Sequence, residues 1–408
     1  MSILLQINVT VNFGSTGRIA EEIGQLAISQ GWESYIAYGR DNGTKSRSNT
    51  FAIGGKLNTY YHALQTRLFD REGLGSRRAT KRLIKYIDNI KPDIIHLHNI
   101  HGYFINYPLF FEYLSSINTP VIWTMHDCWS FSGHCAYFDA IGCKRWLRGC
   151  YSCPQKREYP SSLLFDRSEQ NFIDKRRYFT SLKDLTLVPV SDWLAGVVKK
   201  SFLKNSKIHR IYNGVNIDVF KPQPEDTCRT LRSKYGFGVK YVLLGVASVW
   251  ESRKGLGDFL KLNNIINDNI LIVLVGLTSK QIEQLPKNII GICRTENINE
   301  LVGLYSVADI VLNLSLEETF GLTTVEGFAC GTPSIVYNKT ASPELVSENT
   351  GIVVEHNNIL ELNNAVNKII DNKDLYSPDA CRQRAVDNFN KNDRFAEYID
   401  IYNLKLNK

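Results

Sequence analysis

Two glutamates, Glu318 and Glu326, stand eight positions apart in residues 315–333, SLEETFGLTTVEGFACGTP, and their surroundings suggest anion chemistry. Residues 308–314, ADIVLNL, read as a short apolar strand, and residues 334–338, SIVYN, read as another. Between them Thr319-Phe320-Gly321 forms a turn. Thr323 or a neighbour opens a helix of about two turns, and Gly331 with Pro333 ends it. A strand feeding a turn and then a helix places the helix N-terminus at the carboxyl edge of a parallel sheet. Unpaired N–H groups and the positive dipole end favour phosphate there. Glu318 in the turn and Glu326 about one turn into the helix can flank one bound molecule at different depths. The plainer alternative for either residue alone is a solvated carboxylate stabilised by the dipole.

The spacing Glu318-x7-Glu326, with Phe320-Gly321 after the first glutamate and Gly331-x-Pro333 beyond the second, resembles the signature of family 4 (group 1) retaining glycosyltransferases. The resemblance implies an α/β chain of the GT-B fold, two doubly wound Rossmann-like domains facing across an interdomain cleft. It also implies transfer of a sugar from a nucleotide diphosphate sugar to a saccharide or lipid-linked saccharide acceptor, as in bacterial cell-surface polysaccharide biosynthesis. In such enzymes the first glutamate contacts the transferred sugar and the second holds the ribose. Backbone N–H groups after the first, here around Phe320, Gly321, Leu322 and Thr323, hold sugar and diphosphate.

The same resemblance organises the rest of the chain. Residues 3–9 form a first strand and residues 18–30 a helix. The loop between them carries Gly14 and Gly17, which permit close backbone approach and are assigned to the donor site. Residues 92–99 and 120–127 are buried strands ending in His96, His98 and Asn99 and in His126-Asp127, where open α/β sheets bind ligands. The T-x-H-D ending is similar to the family's, which gives His126 a contact with the donor sugar; His96 and His98 are expected on the acceptor side. Residues 210–216 and 220–222 resemble the family's crossing between domains, with Asn216 where an Asp is usual. The expected boundaries are 1–212 for the acceptor-side domain, 213–385 for the donor-binding domain, and 386–408 for a terminal helix returning to the first.

Loss of the nucleotide diphosphate concentrates negative charge that fixed cations must meet. The loop 248–255, SVWESRKG, supplies Lys254 and Arg253, and Arg294 lies where the family's nucleobase rests. Relatives usually carry an Arg six positions before the Lys of the K-G pair. Ser248 stands there, so Arg253 is expected to replace it. No G-x-x-x-x-G-K, G-x-G-x-x-G or D-x-D occurs, which removes support from P-loop, simple dinucleotide and metal-dependent GT-A readings. Catalysis is expected to need no cofactor. A catalytically silent nucleotide-sugar-binding partner in a glycan-assembly complex is the alternative, suggested by Ser248 and Asn216.

Five of the nine cysteines crowd residues 128–153. Cys135, Cys143, Cys150 and Cys153 are candidate ligands for a structural zinc, with reduced buried thiols as the alternative. The length of 408 residues suits two domains. No apolar run is long enough to span a bilayer, and Met1 enters a strand pattern without a leader, so a cytoplasmic location is expected. The net charge of +7 sits entirely in the first half, with 25 Lys/Arg against 17 Asp/Glu in residues 1–200. A basic helical region, residues 67–91, suggests peripheral contact with the inner face of the cell membrane rather than with nucleic acid.

Overall fold

The computed structural model describes residues 1–407. The chain divides into two compact units, Met1–Tyr212 with Phe395–Lys408, and Asn213–Arg394.

The first unit is built on seven strands: β1 (Ile3–Thr10), β2 (Glu33–Arg40), β3 (Asn49–Ala52), β4 (Ile94–Leu97), β5 (Val121–Met125), β6 (Leu185–Pro189) and β7 (Lys207–Ile208). Their order is β3-β2-β1-β4-β5-β6-β7, and every pairing is parallel. Strands β4, β5 and β6 are buried at every position, which is why they read as continuous apolar runs rather than alternating ones. One core cluster gathers Leu4 of β1, Ile94 of β4, Ile122 of β5 and Val188 of β6 with Ile19, Ile23 and Ala27 of the helix Gly14–Ser29. Phe395, Tyr398, Ile399, Ile401 and Tyr402 of the last helix, Lys391–Leu406, complete it. Burying each of these side chains is worth about 1.5–3 kcal/mol, enough to fix the terminal helix against the sheet.

The second unit has six strands, β8 (Tyr241–Val246), β9 (Ile270–Val275), β10 (Ile289–Ile292), β11 (Ile310–Asn313), β12 (Ser334–Tyr337) and β13 (Gly351–Val354), in the order β10-β9-β8-β11-β12-β13. All pairings are again parallel. Each sheet therefore has a point where the winding reverses: between β1 and β4 in one unit, and between β8 and β11 in the other. A crevice outside the carboxyl ends of two such strands is where open α/β sheets take ligands.

Two sequence expectations change. The first helix begins at Gly14, four residues before the expected start, so both loop glycines lie within its first turn. The basic stretch 67–91 is not continuous. A helix Lys56–Phe69 ends at Asp70, which is left-handed (φ 51°), and a second helix, Arg77–Ile90, starts after left-handed Ser76 (φ 54°). His62 joins them: Nδ1 is 2.8 Å from Ser76 Oγ, and Nε2 accepts the Gly73 and Gly75 N–H groups at 3.1 and 3.2 Å.

Candidate active site

In the second unit the candidate residues collect at the reversal point. The chain leaves β8 through the loop 248–255 and leaves β11 through the loop 314–321, so adjacent parallel strands deliver both loops to the same edge. Two contacts tie the loops together. Leu316 N–H donates to Arg253 O at 2.8 Å. Gly255 is left-handed (φ 76°), and a Cβ there would lie 2.3 Å from Leu314 O, so glycine is the residue this close approach requires. The neighbouring Lys254 then reaches Glu318, donating from Nζ to Oε1, with both side chains under one-fifth exposed. Arg253 points its Nε at Glu251 Oε2, 2.9 Å away.

Behind Glu318, Gly321 (φ 105°) turns the chain into the helix Leu322–Ala329. This helix has no side-chain cap and no acidic residue in its first turn. Its leading N–H groups and dipole are thus left to an anion from outside the helix. Phe320 is buried beside Phe389, which anchors the turn. Asn313 at the end of β11 bonds Thr324 Oγ1 at 3.1 Å and fixes the helix start. Glu326 accepts from the phenol of Tyr305 at 2.8 Å. Burial, the Glu326 charge and that hydrogen bond together hold the Tyr305 hydroxyl protonated, so it remains a donor to the carboxylate.

Three residues here had no signal in the sequence reading. Tyr305 orients Glu326 from the preceding helix, Ile298–Val307. Thr340 accepts the Glu318 N–H on its Oγ1 at 2.9 Å. It does so from a left-handed backbone (φ 49°), a costly state for a β-branched residue and one that marks functional loops. Asn313 is the third. Arg294 is exposed just after β10.

The first unit holds the remaining candidates. Gly17 packs against β1: a Cβ there would meet Thr10 Oγ1 at 2.6 Å, so this glycine sets the helix–strand approach, while Gly14 is left-handed (φ 66°) in open space. His126 and Asp127 follow β5 and are both buried. Asp127 Oδ1 accepts the Trp129 N–H at 2.9 Å, and Oδ2 lies 2.7 Å from His101 Nε2. Burial pushes the Asp127 carboxyl up, but His101 and the Trp129 N–H outweigh it and leave it below the usual carboxylate range. Burial holds His126 down at about 4, against a raising effect of Asp127.

His96 and His98 do not line an acceptor site as expected. Both rings are buried, with both nitrogens committed: His96 to Tyr402 (2.6 Å) and Thr124 (2.7 Å), His98 to His126 (3.2 Å) and Gln6 (3.0 Å).

Cys135, Cys143, Cys150 and Cys153 do gather at one small cavity with His134, Phe138 and Trp146. Among the described residues, however, no group of three or more His, Cys, Asp or Glu side chains stands so as to hold a metal ion. The zinc expectation gives way to its alternative, free thiols. The sulfurs have other partners. Cys135 donates to Cys153, which raises the Cys135 thiol and holds Cys153 down at about 7, and Cys150 accepts the Gly133 N–H at 3.1 Å.

Two doubly wound parallel sheets with a cation–carboxylate pair at the reversal of the second define a GT-B class of protein. Solved structures share the fold. A glycosyltransferase from Rickettsia africae aligns with a TM-score of 0.70 at 19% identity, over 99% of this chain and 98% of that one. Anabaena Alr3699/HepE in complex with UDP-glucose aligns with a TM-score of 0.67 at 15% identity, over 98% and 100%.

Residues 16–219, half of the chain, match Glycosyltransferase Family 4, and residues 229–387 match Glycosyl transferases group 1; the protein belongs to glycosyltransferase family 4. Among its relatives, the putative colanic acid biosynthesis glycosyl transferase WcaC of Escherichia coli K12 is 29% identical over 190 residues. That match spans 44% of this chain and 46% of WcaC, less than half of either. A 41.2 kDa protein of the Klebsiella pneumoniae cps region is 25% identical over 84% of this chain and 88% of its own length.

Proposed function

We propose that this protein transfers a hexosyl group, with retention at the anomeric carbon, from a nucleotide diphosphate sugar to a saccharide or lipid-linked saccharide acceptor during cell-surface polysaccharide assembly. The observation that carries the reading is the Lys254–Glu318 pair beside the uncapped helix N-terminus at the β8/β11 reversal. As the bond from the anomeric carbon to the diphosphate oxygen breaks, charge grows on that oxygen. Lys254, Arg253 and the N–H groups of Leu322 and Thr323 meet it. The acceptor hydroxyl oxygen takes the vacated position on the same face, and its proton passes to the departing diphosphate oxygen. In this reading the protein's own cations do this work and no metal ion takes part.

Glu318 contacts the transferred sugar, and Glu326, steadied by Tyr305, holds the ribose. The family pattern gives His126 a contact with the donor sugar and places the base near Arg294. The complex of HepE with UDP-glucose supports a nucleoside diphosphate sugar as the donor class, and the relatives named for colanic acid and the cps region support the polysaccharide setting.

The acceptor side is proposed to rest on an anionic bilayer. No helix among the described residues is long and apolar enough to cross a membrane. The helix Lys56–Phe69 exposes Leu57 (85%), Tyr60 (71%) and Tyr61 (63%), and the neighbouring helix Arg77–Ile90 exposes Arg77, Arg78, Lys81, Arg82 and Lys85. Exposed aromatic and aliphatic side chains beside a basic stripe suit the boundary of an anionic leaflet.

The test is release of nucleoside diphosphate from a panel of nucleotide sugars, with saccharide and lipid-linked acceptors, in chelator. Acceptor-dependent release with one donor supports the reading. Tight nucleotide binding without release under any pairing would instead identify a silent binding partner.

A further inference from the structure

The helix Lys56–Phe69 is turned inside out. Leu57, Tyr60, Tyr61 and Leu64 recur at helical spacing and are all exposed, whereas the two residues the helix buries, His62 and Thr66, are polar. Both are held from within the first unit: His62 by Ser76, Gly73 and Gly75, and Thr66 by donating to the His62 carbonyl at 3.1 Å. The apolar row continues past the helix. Leu163 N–H donates to Arg67 O at 2.7 Å, and Phe69 stacks on Phe165 with 5.6 Å between ring centres, which brings exposed Leu163, Leu164 and Phe165 to the end of the row. A contiguous exposed apolar patch marks a place of contact.

At the start of the same helix a cavity of about 370 Å³ opens at the carboxyl ends of the paired strands β2 and β3. Small-molecule sites have roughly 300–1,000 Å³, and the carboxyl edge is where open α/β sheets take ligands. Arg40, at the end of β2, and Lys56, at the head of the helix, stand on its wall, and both are exposed. Arg40 Nη2 donates to Gly102 O at 3.0 Å, which sets the guanidinium in place with donors to spare. Asp41 shares the wall, but its carboxylate accepts the Gly43 N–H at 3.3 Å and a hydrogen bond from the Tyr38 phenol. The first turn of the helix adds no acidic residue. Tyr60 belongs both to the wall and to the apolar row, so a charged group in the cavity and a hydrocarbon along the row are contiguous.

We propose that this cavity holds the phosphate or diphosphate of an amphiphilic acceptor, with Arg40 and Lys56 meeting the charge while the lipid chain lies along Leu57, Tyr60, Tyr61 and Leu64. A guanidinium fork and a compact ammonium suit phosphate oxygens. The lipid-linked class of acceptor rests on the proposed function; capture of a phosphate group by the cavity does not. A second copy of this chain is the other occupant that an apolar row could take. The adjoining cations, Arg40, Lys56 and the exposed Arg77, Arg78, Lys81 and Arg82, favour an anionic amphiphile.

The experiment is calorimetric titration of the full-length protein with farnesyl diphosphate, pyrophosphate and farnesol, each below its micellar concentration. The titrations are repeated in Lys254→Ala, which removes the diphosphate cation proposed for the second unit. Farnesyl diphosphate is expected to bind at least about tenfold more tightly than either fragment, since it alone fills both parts. Arg40→Ser with Lys56→Ser is expected to lower that affinity about tenfold or more, with the melting temperature unchanged because both side chains are exposed. Leu57→Ser with Leu64→Ser is expected to weaken farnesyl diphosphate and leave pyrophosphate as it was. Wild-type affinity in the Arg40, Lys56 variant overturns the proposal, as does a loss seen in Lys254→Ala instead. Equal affinity for pyrophosphate and farnesyl diphosphate overturns the lipid half in favour of a free phosphate. A dimer in sedimentation velocity that Leu57→Ser with Leu64→Ser abolishes, without farnesyl diphosphate binding, overturns it in favour of a second copy. No turnover enters these measurements, so failure of every donor to support transfer refutes the proposed function while the cavity is still decided by binding.

Discussion

Lys254 and Glu318 lie 64 positions apart in the chain yet form a direct ion pair between the loops that leave β8 and β11. In this pairing each residue holds the other where a diphosphate and its sugar are proposed to sit, so the cation is in place before the anion arrives.

If Glu318 acts on the sugar and Glu326 on the ribose, the two substitutions separate. Glu318→Gln is expected to lower turnover at least about tenfold, roughly 1.4 kcal/mol of barrier, with little change in nucleoside diphosphate affinity. Glu326→Ala is expected to weaken nucleotide binding, and Tyr305→Phe to weaken it less, since the carboxylate stays but loses its donor. Calorimetric titration of the three variants checks the division, and the opposite pattern refutes it.

Arg253 takes its proposed role from its place beside Lys254 and from the planar fork that suits a phosphate. Its salt bridge to Glu251, an exposed residue, is worth little and is readily exchanged for a diphosphate. Under saturating donor, Arg253→Ala and Lys254→Ala are expected to lose turnover to similar extents. A wild-type rate for Arg253→Ala ends the idea that it replaces the arginine absent at Ser248.

Acid is expected to destabilise the first unit through its buried imidazoles. Burial, with His126 nearby, holds His96 at about 3; burial holds His126 at about 4; and His98 lies well below its ordinary value. The folded values are below the unfolded one of about 6.5, so this stability is complete above about pH 6.5 and is lost as pH falls, because the unfolded chain takes up protons first. Each ring contributes a slope of about 1.4 kcal/mol per pH unit in that window. Melting temperatures from pH 7 to 5 are expected to fall steeply, and less steeply in His96→Gln. A flat profile contradicts the assignment.

The thiol pair offers a separate reading of the cysteine loop. The donated hydrogen bond from Cys135 holds Cys153 at about 7, so its alkylation by iodoacetamide is expected to rise as pH passes from 6 to 8. In Cys135→Ala that bond is gone and the midpoint is expected to move up. Mass spectrometry of the Cys153 peptide measures both, and an unchanged midpoint in Cys135→Ala counts against the hydrogen bond.

Membrane contact is expected to have separable charge and apolar parts. Reversing Arg77, Arg78, Lys81 and Arg82 is expected to abolish co-sedimentation with anionic vesicles at low salt, and Leu57→Ser with Tyr60→Ser to weaken it at every salt concentration. Absence of wild-type binding at low salt rejects the surface.

The sequence by itself determined much of this protein. Continuous apolar runs marked the parallel strands, because strands buried on both faces must be apolar throughout. The spacing of Glu318, Glu326, Gly331 and Pro333 located the turn and helix, because glycine and proline restrict the backbone locally. Lys254-Gly255 was legible as a motif, but its reason was not: Gly255 is needed because Leu314, distant in sequence, comes within van der Waals distance of it. Tyr305 and Thr340 were invisible, since each acts through a partner brought to it by packing and neither carries a local signal. His96 and His98 were misplaced for the same cause, as a strand's end does not reveal whether Tyr402, more than three hundred residues away, will close over it. The cysteine spacing suggested a metal, whereas the directions of the side chains, which only the packed loop decides, make Cys135 and Cys153 partners of each other. Local backbone chemistry is written in neighbouring residues; hydrogen-bond direction and charge pairing belong to the folded chain, where distant groups first meet.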